Sequence, residues 1–139
     1  MGQSVFIVMA VFRPDPAHLR DQMRSIADQT HTDHHLIAVI ADTTSGALVD
    51  TLATEMGLKY TPVPCDFELD AVRAFEAGLA EVLTLIDTGT FEQEPLIALS
   101  DQDDIWHKTR LERGLAALEK SGADLVHSDA RLVAGDGTT

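Results

Sequence analysis

Cysteine is nearly absent from this chain of 139 residues, where Cys65 stands alone. A lone cysteine excludes an internal disulfide and a cysteine-built zinc site, and it suits a reducing compartment. Aromatics are also scarce at 5%, so the core is expected to consist mainly of Leu, Ile, Val and Ala. Basic residues are outnumbered, with 10 Lys and Arg against 23 Asp and Glu and a formal charge of −13. That balance argues against a nucleic-acid backbone or an anionic membrane surface as a direct partner. A phosphorylated small molecule would be repelled too, unless a metal ion bridged it to the acidic surface. No apolar run approaches about 18 residues, so no membrane-spanning segment is expected. Residues Met1 to Val11 lack the basic opening of a secretory signal. The expected location is cytoplasmic, at most peripheral to the inner face of a membrane. There is also no glycine-rich phosphate loop of the GxxxxGKS/T or GxGxxG kind.

What the chain does have is alternation. Its length is that of one ordinary domain. Ser4 to Phe12 is a near-continuous apolar run, as expected for a strand covered on both faces. Pro14, Asp15 and Pro16 open a helix reaching about Gln29, with Leu19, Met23, Ile26 and Ala27 on one face. Leu36 to Ala41 reads as a second buried strand, ending at Asp42 and the turn-like Thr43-Thr44-Ser45-Gly46. A helix from about Ala47 to Met56, closed by Gly57, and a short strand from Leu58 to Val63, broken by Pro62 and Pro64, come next. Leu69, Val72, Leu79, Val82, Leu83 and Ile86 mark a third helix, and Pro95 to Ser100 a fourth strand. Leu111, Leu115 and Leu118 mark a fourth helix, Ala123 to His127 a fifth strand, and the glycine-containing tail is turn-like. The expected fold class is α/β, a mostly parallel sheet flanked by helices with right-handed crossovers. Ligands in such sheets bind outside the carboxyl ends of the strands.

Acidic residues fall at those ends: Asp42 after the second strand, Asp101 to Asp104 after the fourth, and Asp129 after the fifth. In Leu99-Ser100-Asp101-Gln102-Asp103-Asp104-Ile105-Trp106, an apolar strand runs into three carboxylates within four residues. Like charges packed so closely repel, and an apolar neighbourhood makes their desolvation worse. Asp101 and Asp103, an Asp-x-Asp pair, project to one side of an extended segment, while Asp104 points elsewhere or caps the next helix. Capping accounts well for one carboxylate and tolerably for a second. A third points to a hard divalent cation.

Other candidates have plainer explanations. His31, His34 and His35 beside Asp33 could hold a second metal, but histidines on a polar helix-to-strand connection are more often solvated. Trp106 could stack on a base or sugar, or anchor its loop by packing. Cys65 has no marked partnering base and reads as a passive thiol. Lys108, Arg110 and Arg113 either balance the acidic cluster or are ordinary solvated helix positions.

The stretch Leu99 to Trp106, followed by Arg110-Leu111-Glu112, resembles the donor-site motif of family 2 glycosyltransferases. It is nearest to their rhamnosyltransferase-like branch. Val5 to Phe12 with Pro14, then Leu19, Ser25 and Gln29, resembles the family's opening strand and its helix ending in Ser-x-x-x-Gln. Asp42 matches the second aspartate of the family's Asp-Asp-Gly-Ser turn, and Gly122 to Asp129 resembles the strand after the acidic motif. The chain departs from that pattern at Ala41, at Thr43-Thr44, at Phe12-Arg13-Pro14, and at Ala74, where an Asn usually follows the arginine.

The resemblance implies a GT-A-type nucleotide-diphospho-sugar transferase fold, with residues 1–139 forming the donor-binding portion and the acceptor-binding part absent. It implies transfer of a sugar from a UDP- or dTDP-sugar donor to a hydroxyl of a saccharide or lipid-linked saccharide acceptor. Asp42, Arg73 and Asp101 would bind the nucleotide, and Asp103 with Asp101 would coordinate Mg²⁺ or Mn²⁺. The family's carboxylate general base lies beyond the fifth strand, so no catalytic residue is assigned. Two alternatives remain: a Mg²⁺-dependent phosphohydrolase or phosphotransferase, and a non-catalytic nucleotide- or metal-binding module. The first of these calls for an aspartate nucleophile ending the first strand, where Phe12-Arg13-Pro14 stands instead.

Overall fold

The computed structural model describes residues 3–64, 71–91, 94–100 and 105–122. The acidic segment Asp101 to Asp104, Cys65, the expected fifth strand with Asp129, and the tail lie outside the described residues. Four strands alternate with four helices: β1 (Val5–Val11), α1 (Pro16–Ala27), β2 (His34–Ile40), α2 (Thr43–Met56), β3 (Tyr60–Pro64), α3 (Ala71–Thr88), β4 (Leu96–Ser100) and α4 (Arg110–Ser121). The strands form one sheet in the order β3-β2-β1-β4, and every pairing is parallel.

β1 and β2 occupy the centre, which explains their unbroken apolar runs. Alternate residues of each go to opposite faces. Val5, Ile7, Met9 and Val11 of β1 join Leu36, Ala38 and Ile40 of β2 beneath α1 and α2, with Trp106 and Leu111 completing that layer. Phe6 and Val8 pack with Ile37 and Val39 against α3 on the other face. There the helix comes unusually close. A Cβ at Gly78 would lie 2.3 Å from Val8 Cγ1 and 3.1 Å from Val39 Cγ2, so a side chain of any size conflicts with the sheet.

Two boundaries differ from the sequence expectation. α2 begins at Thr43 instead of Ala47, because Asp42 caps it, and the turn-like Thr43-Thr44-Ser45-Gly46 is its first turn. Gly57 closes the helix in the left-handed region at φ 68°, a conformation that costs glycine little. β3 extends to Pro64 despite its prolines. The Lys59 carbonyl accepts from the Leu36 amide at 2.9 Å, so odd-numbered residues of this strand face β2. Pro62 and Pro64 therefore lack their N–H on the outer side, where an edge strand has no ladder bond to lose.

Because the sheet is parallel, the carboxyl ends of β1, β2 and β4 share one edge. Val11 lies opposite Ile40, and Met9 opposite Ser100. Residues 12–13, 41–42 and the segment entered at 101 leave the sheet along that edge.

Candidate functional site

At the end of β1 the chain turns through Arg13, whose φ of 41° is the only positive value among described non-glycine residues. This turn brings Arg13 to Asp42 at the end of β2, and its guanidinium lies 4.9 Å from the Phe12 ring centroid. The two carboxylate oxygens of Asp42 accept from Ser45, one from the backbone amide at 2.8 Å and the other from the hydroxyl at 2.7 Å. Those two bonds hold its carboxyl below the ordinary range; slight desolvation opposes them, and the Arg13 amide and charge assist. Asp42 is thus a helix N-cap, a role the sequence reading weighed only for the later carboxylates. A carboxylate offers about four lone-pair positions, so two bonds do not exhaust it.

Arg73 lies exposed near the start of α3. That helix follows β3, so it begins at the same carboxyl edge. Asp101 and Asp103 lie outside the described residues, but both of their flanks are described.

Ser100 and Trp106, on either side of the acidic segment, are tied to a buried polar row that runs along α1 to Gln29, just past the helix end. Gln22 Nε2 donates to the Ser100 hydroxyl. Ser25 Oγ accepts from the Trp106 amide at 3.0 Å and donates to the Gln22 carbonyl at 2.7 Å. Gln29 Nε2 donates to the carbonyls of Ser25 (3.0 Å) and His107 (2.8 Å), while its Oε1 accepts from the Leu111 amide at 3.0 Å. The Thr30 amide adds a bond to the Lys108 carbonyl at 2.9 Å. Trp106 itself is buried against the core, and the Arg110 guanidinium covers its ring at 4.7 Å. Packing is therefore the role its surroundings show.

Gln22 was missed in the sequence, and Ser25 and Gln29 were noted there without a role. A signal existed: positions 22, 25 and 29 repeat at helical spacing within the stripe of Leu19, Met23 and Ile26.

The histidines lie at the opposite, amino-terminal edge. His31 Nε2 bonds the Gln3 carbonyl at 2.8 Å, and His35 Nε2 bonds Thr61 Oγ1 at 2.7 Å beside the Phe6 ring. Among the described residues no three His, Cys, Asp or Glu side chains converge as a metal site.

No model of a protein family matches the chain, and no curated protein matches it in sequence. Solved structures do match in shape. S. aureus TarS 1-349 superposes with a TM-score of 0.66 at 12% identity, over 88% of this chain and 34% of that one. The same protein in complex with UDP-GlcNAc gives 0.63 at 13% identity, over 88% and 33%. The structure named simply TarS gives 0.63 at 13%, over 96% of this chain and 23% of that one. The fold is GT-A-type. This chain spans about a third or less of the TarS chains it matches. In a GT-A-type sheet, Asp42, Arg13 and Ser100, the residue that precedes the acidic segment, share the carboxyl edge, where open α/β sheets take their ligands. Among the described residues no helix is long and apolar enough to cross a membrane.

Proposed function

We infer that this chain is the donor-binding portion of a metal-dependent glycosyltransferase of the family 2, rhamnosyltransferase-like kind. The observation that carries this reading is positional. The acidic segment follows β4, the neighbour of central β1 in a parallel GT-A-type sheet, whose carboxyl end lies on the same edge as Asp42, and a protein of the same fold has been crystallised with UDP-GlcNAc.

The donor set fits the ion. Carboxylates are hard oxygen ligands of the kind Mg²⁺ and Mn²⁺ prefer. Asp103, with Asp101, would hold the ion, and Asp101 would also lie near the nucleotide. Asp42 would use its remaining acceptor capacity on the base, and Arg73 would approach the nucleotide from the start of α3. Sugar transfer from a nucleoside diphosphate leaves a diphosphate anion, whose developing charge a divalent ion stabilises. A surface of charge −13 needs such an ion to receive that anion at all. The acceptor would be a hydroxyl of a saccharide or lipid-linked saccharide, activated by a base that none of these residues supplies.

Calorimetric titration with UDP and with dTDP, each with and without Mn²⁺, tests this reading. The expected result is nucleotide binding that requires Mn²⁺ and disappears in Asp103→Ala. A folded protein that binds neither nucleotide at about millimolar concentration would sink it.

A further inference from the structure

The polar row along α1 and just past its end calls for more explanation than core packing gives it. Gln22, Ser25 and Gln29 are 0%, 8% and 2% exposed; the first two lie on the α1 face that also carries Leu19, Met23 and Ile26, and Gln29 follows the helix end. Apolar side chains at these positions would extend that stripe without the cost of burying an amide or hydroxyl. The cost at Gln22 is not fully offset, because its Oε1 is buried with no hydrogen-bond partner among the described residues. Such an orphan acceptor is uncommon in a folded interior and calls for a reason.

The partners of the row supply one. None of its cross-segment bonds supports a regular ladder between strands or within a helix. Gln22 reaches the last residue of β4, Ser25 the backbone of Trp106, and Gln29 the backbones of His107 and Leu111. Between Ser100 and Trp106 lie the five residues Asp101 to Ile105, which carry the three carboxylates. α1 and the turn just past its end therefore hold both flanks of that segment. Gln22 and Ser25 lie nearly one helical turn apart, about 4.5 Å along the axis.

We propose that Gln22, Ser25 and Gln29 are positioning residues for ion and nucleotide binding: α1 and the turn just past its end fix the described flanks of the acidic segment, Ser100 on one side and Trp106 and His107 on the other. This rests on the donor-site reading above. Groups that orient ion ligands without touching the ion commonly change affinity by about 10- to 100-fold when removed.

Trp106 is the only tryptophan of the chain, so its emission reports on this segment alone. Mn²⁺ titrations with UDP present, read by Trp106 emission and by calorimetry, are paired with thermal unfolding of each variant. Gln22→Met keeps the volume and removes the orphan acceptor. It is expected to unfold no earlier than the wild type, yet to bind Mn²⁺ and UDP about 10-fold more weakly. A purely structural role predicts no such split. Ser25→Ala is expected to weaken binding similarly, and Ser25→Thr, which keeps the hydroxyl, to restore most of it. Wild-type affinity in folded Gln22→Met and Ser25→Ala overturns the proposal.

Amide hydrogen exchange keeps the two readings separable. In the wild type the Trp106 amide should be protected, and in Ser25→Ala it should lose protection while the β1 and β2 amides keep theirs. Unchanged protection at Trp106 overturns the row as a holding device, whatever the nucleotide result. If the wild type binds no nucleotide while that amide responds as expected, it is the donor reading that fails.

Discussion

The two helices that cover the centre of the sheet do so by opposite means. α3 lies over Val8 and Val39 through Gly78, at a distance that leaves no room for a side chain, and its buried contacts in that layer are hydrocarbon. α1 covers the other face with Leu19, Met23 and Ile26 but interrupts that stripe with Gln22 and Ser25, and Gln29 follows just past its end. Beneath α3 lies regular strand, whose backbone groups are already paired in the ladder. Beside α1 pass residues 105–109, ahead of α4, whose amides and carbonyls have no ladder and are met in part by side chains. Polar atoms in a core mark where backbone has to be held, and a bare glycine marks where only distance matters.

The largest break in this contrast is expected at Gln29. Gln29→Leu keeps a side chain of similar bulk but leaves the Leu111 amide and the His107 carbonyl without the bonds Gln29 makes to them. At about 1–3 kcal/mol for each of the two groups left unpaired, a loss of about 2–6 kcal/mol is expected in urea denaturation. The same apolar replacement should therefore be costly on this face, where on the α3 face it would simply be packing.

Gly78→Ala breaks the contrast from the other side. Alanine is the better helix former by about 1 kcal/mol. Against that stands a methyl group placed 2.3 Å from Val8 Cγ1. Val8 is fully buried and stiff at χ1, so it cannot swing away. Overpacking of this kind costs about 1–3 kcal/mol, so after the helix gain the net change should be a destabilisation of up to about 2 kcal/mol. A stabilised Gly78→Ala would mean that α3 can lift off the sheet without penalty.

Much of this architecture could be read from residues. The apolar runs at Val5 to Val11 and Leu36 to Ile40 announced two buried central strands, and the acidic positions after the second and fourth strands pointed to one edge. Three features were hidden, each for a physical reason. The first turn of α2 is spelled Thr-Thr-Ser-Gly, poor helix formers whose deficit is offset by the Asp42 cap and its two bonds to Ser45. β3 carries two prolines that look like breakers until its neighbours are known, because only an edge strand leaves those positions without a bond to lose. Gln22 looks like a solvated helix residue, since nothing local shows that its partner is Ser100, 78 positions away. Long-range hydrogen bonds of this sort leave no periodicity, and the buried polar row became visible only when α1 was seen against the chain that follows the acidic segment.

The smallest expected effect concerns a histidine on each face. Val5 pairs with His34 and Phe6 with His35, so the two rings fall on opposite sides of the same strand. On the α3 side His35 packs on Phe6 and bonds Thr61, and burial, then Lys59, lowers its pKa. On the α1 side His34 keeps Nδ1 buried without a partner among the described residues. Burial lowers its pKa first, His31 and Lys59 add to this, and Asp33 opposes them. A histidine whose folded pKa is lowered binds its proton more readily in the unfolded chain. Its contribution is therefore intact above the unfolded value of about 6.5 and is lost as pH falls below it. Denaturation midpoints should decline on acidification from about pH 6.5, before ordinary carboxylates begin to protonate near pH 4, and Asp42 is held lower than those. His34→Leu should flatten that decline and cost little at neutral pH, because it removes an unpaired polar atom. His35→Leu should flatten it too, but at the cost of the bond to Thr61. If the two variants behave alike at neutral pH, the faces tolerate buried polar atoms equally, and the contrast between α1 and α3 does not extend to the amino edge of the sheet.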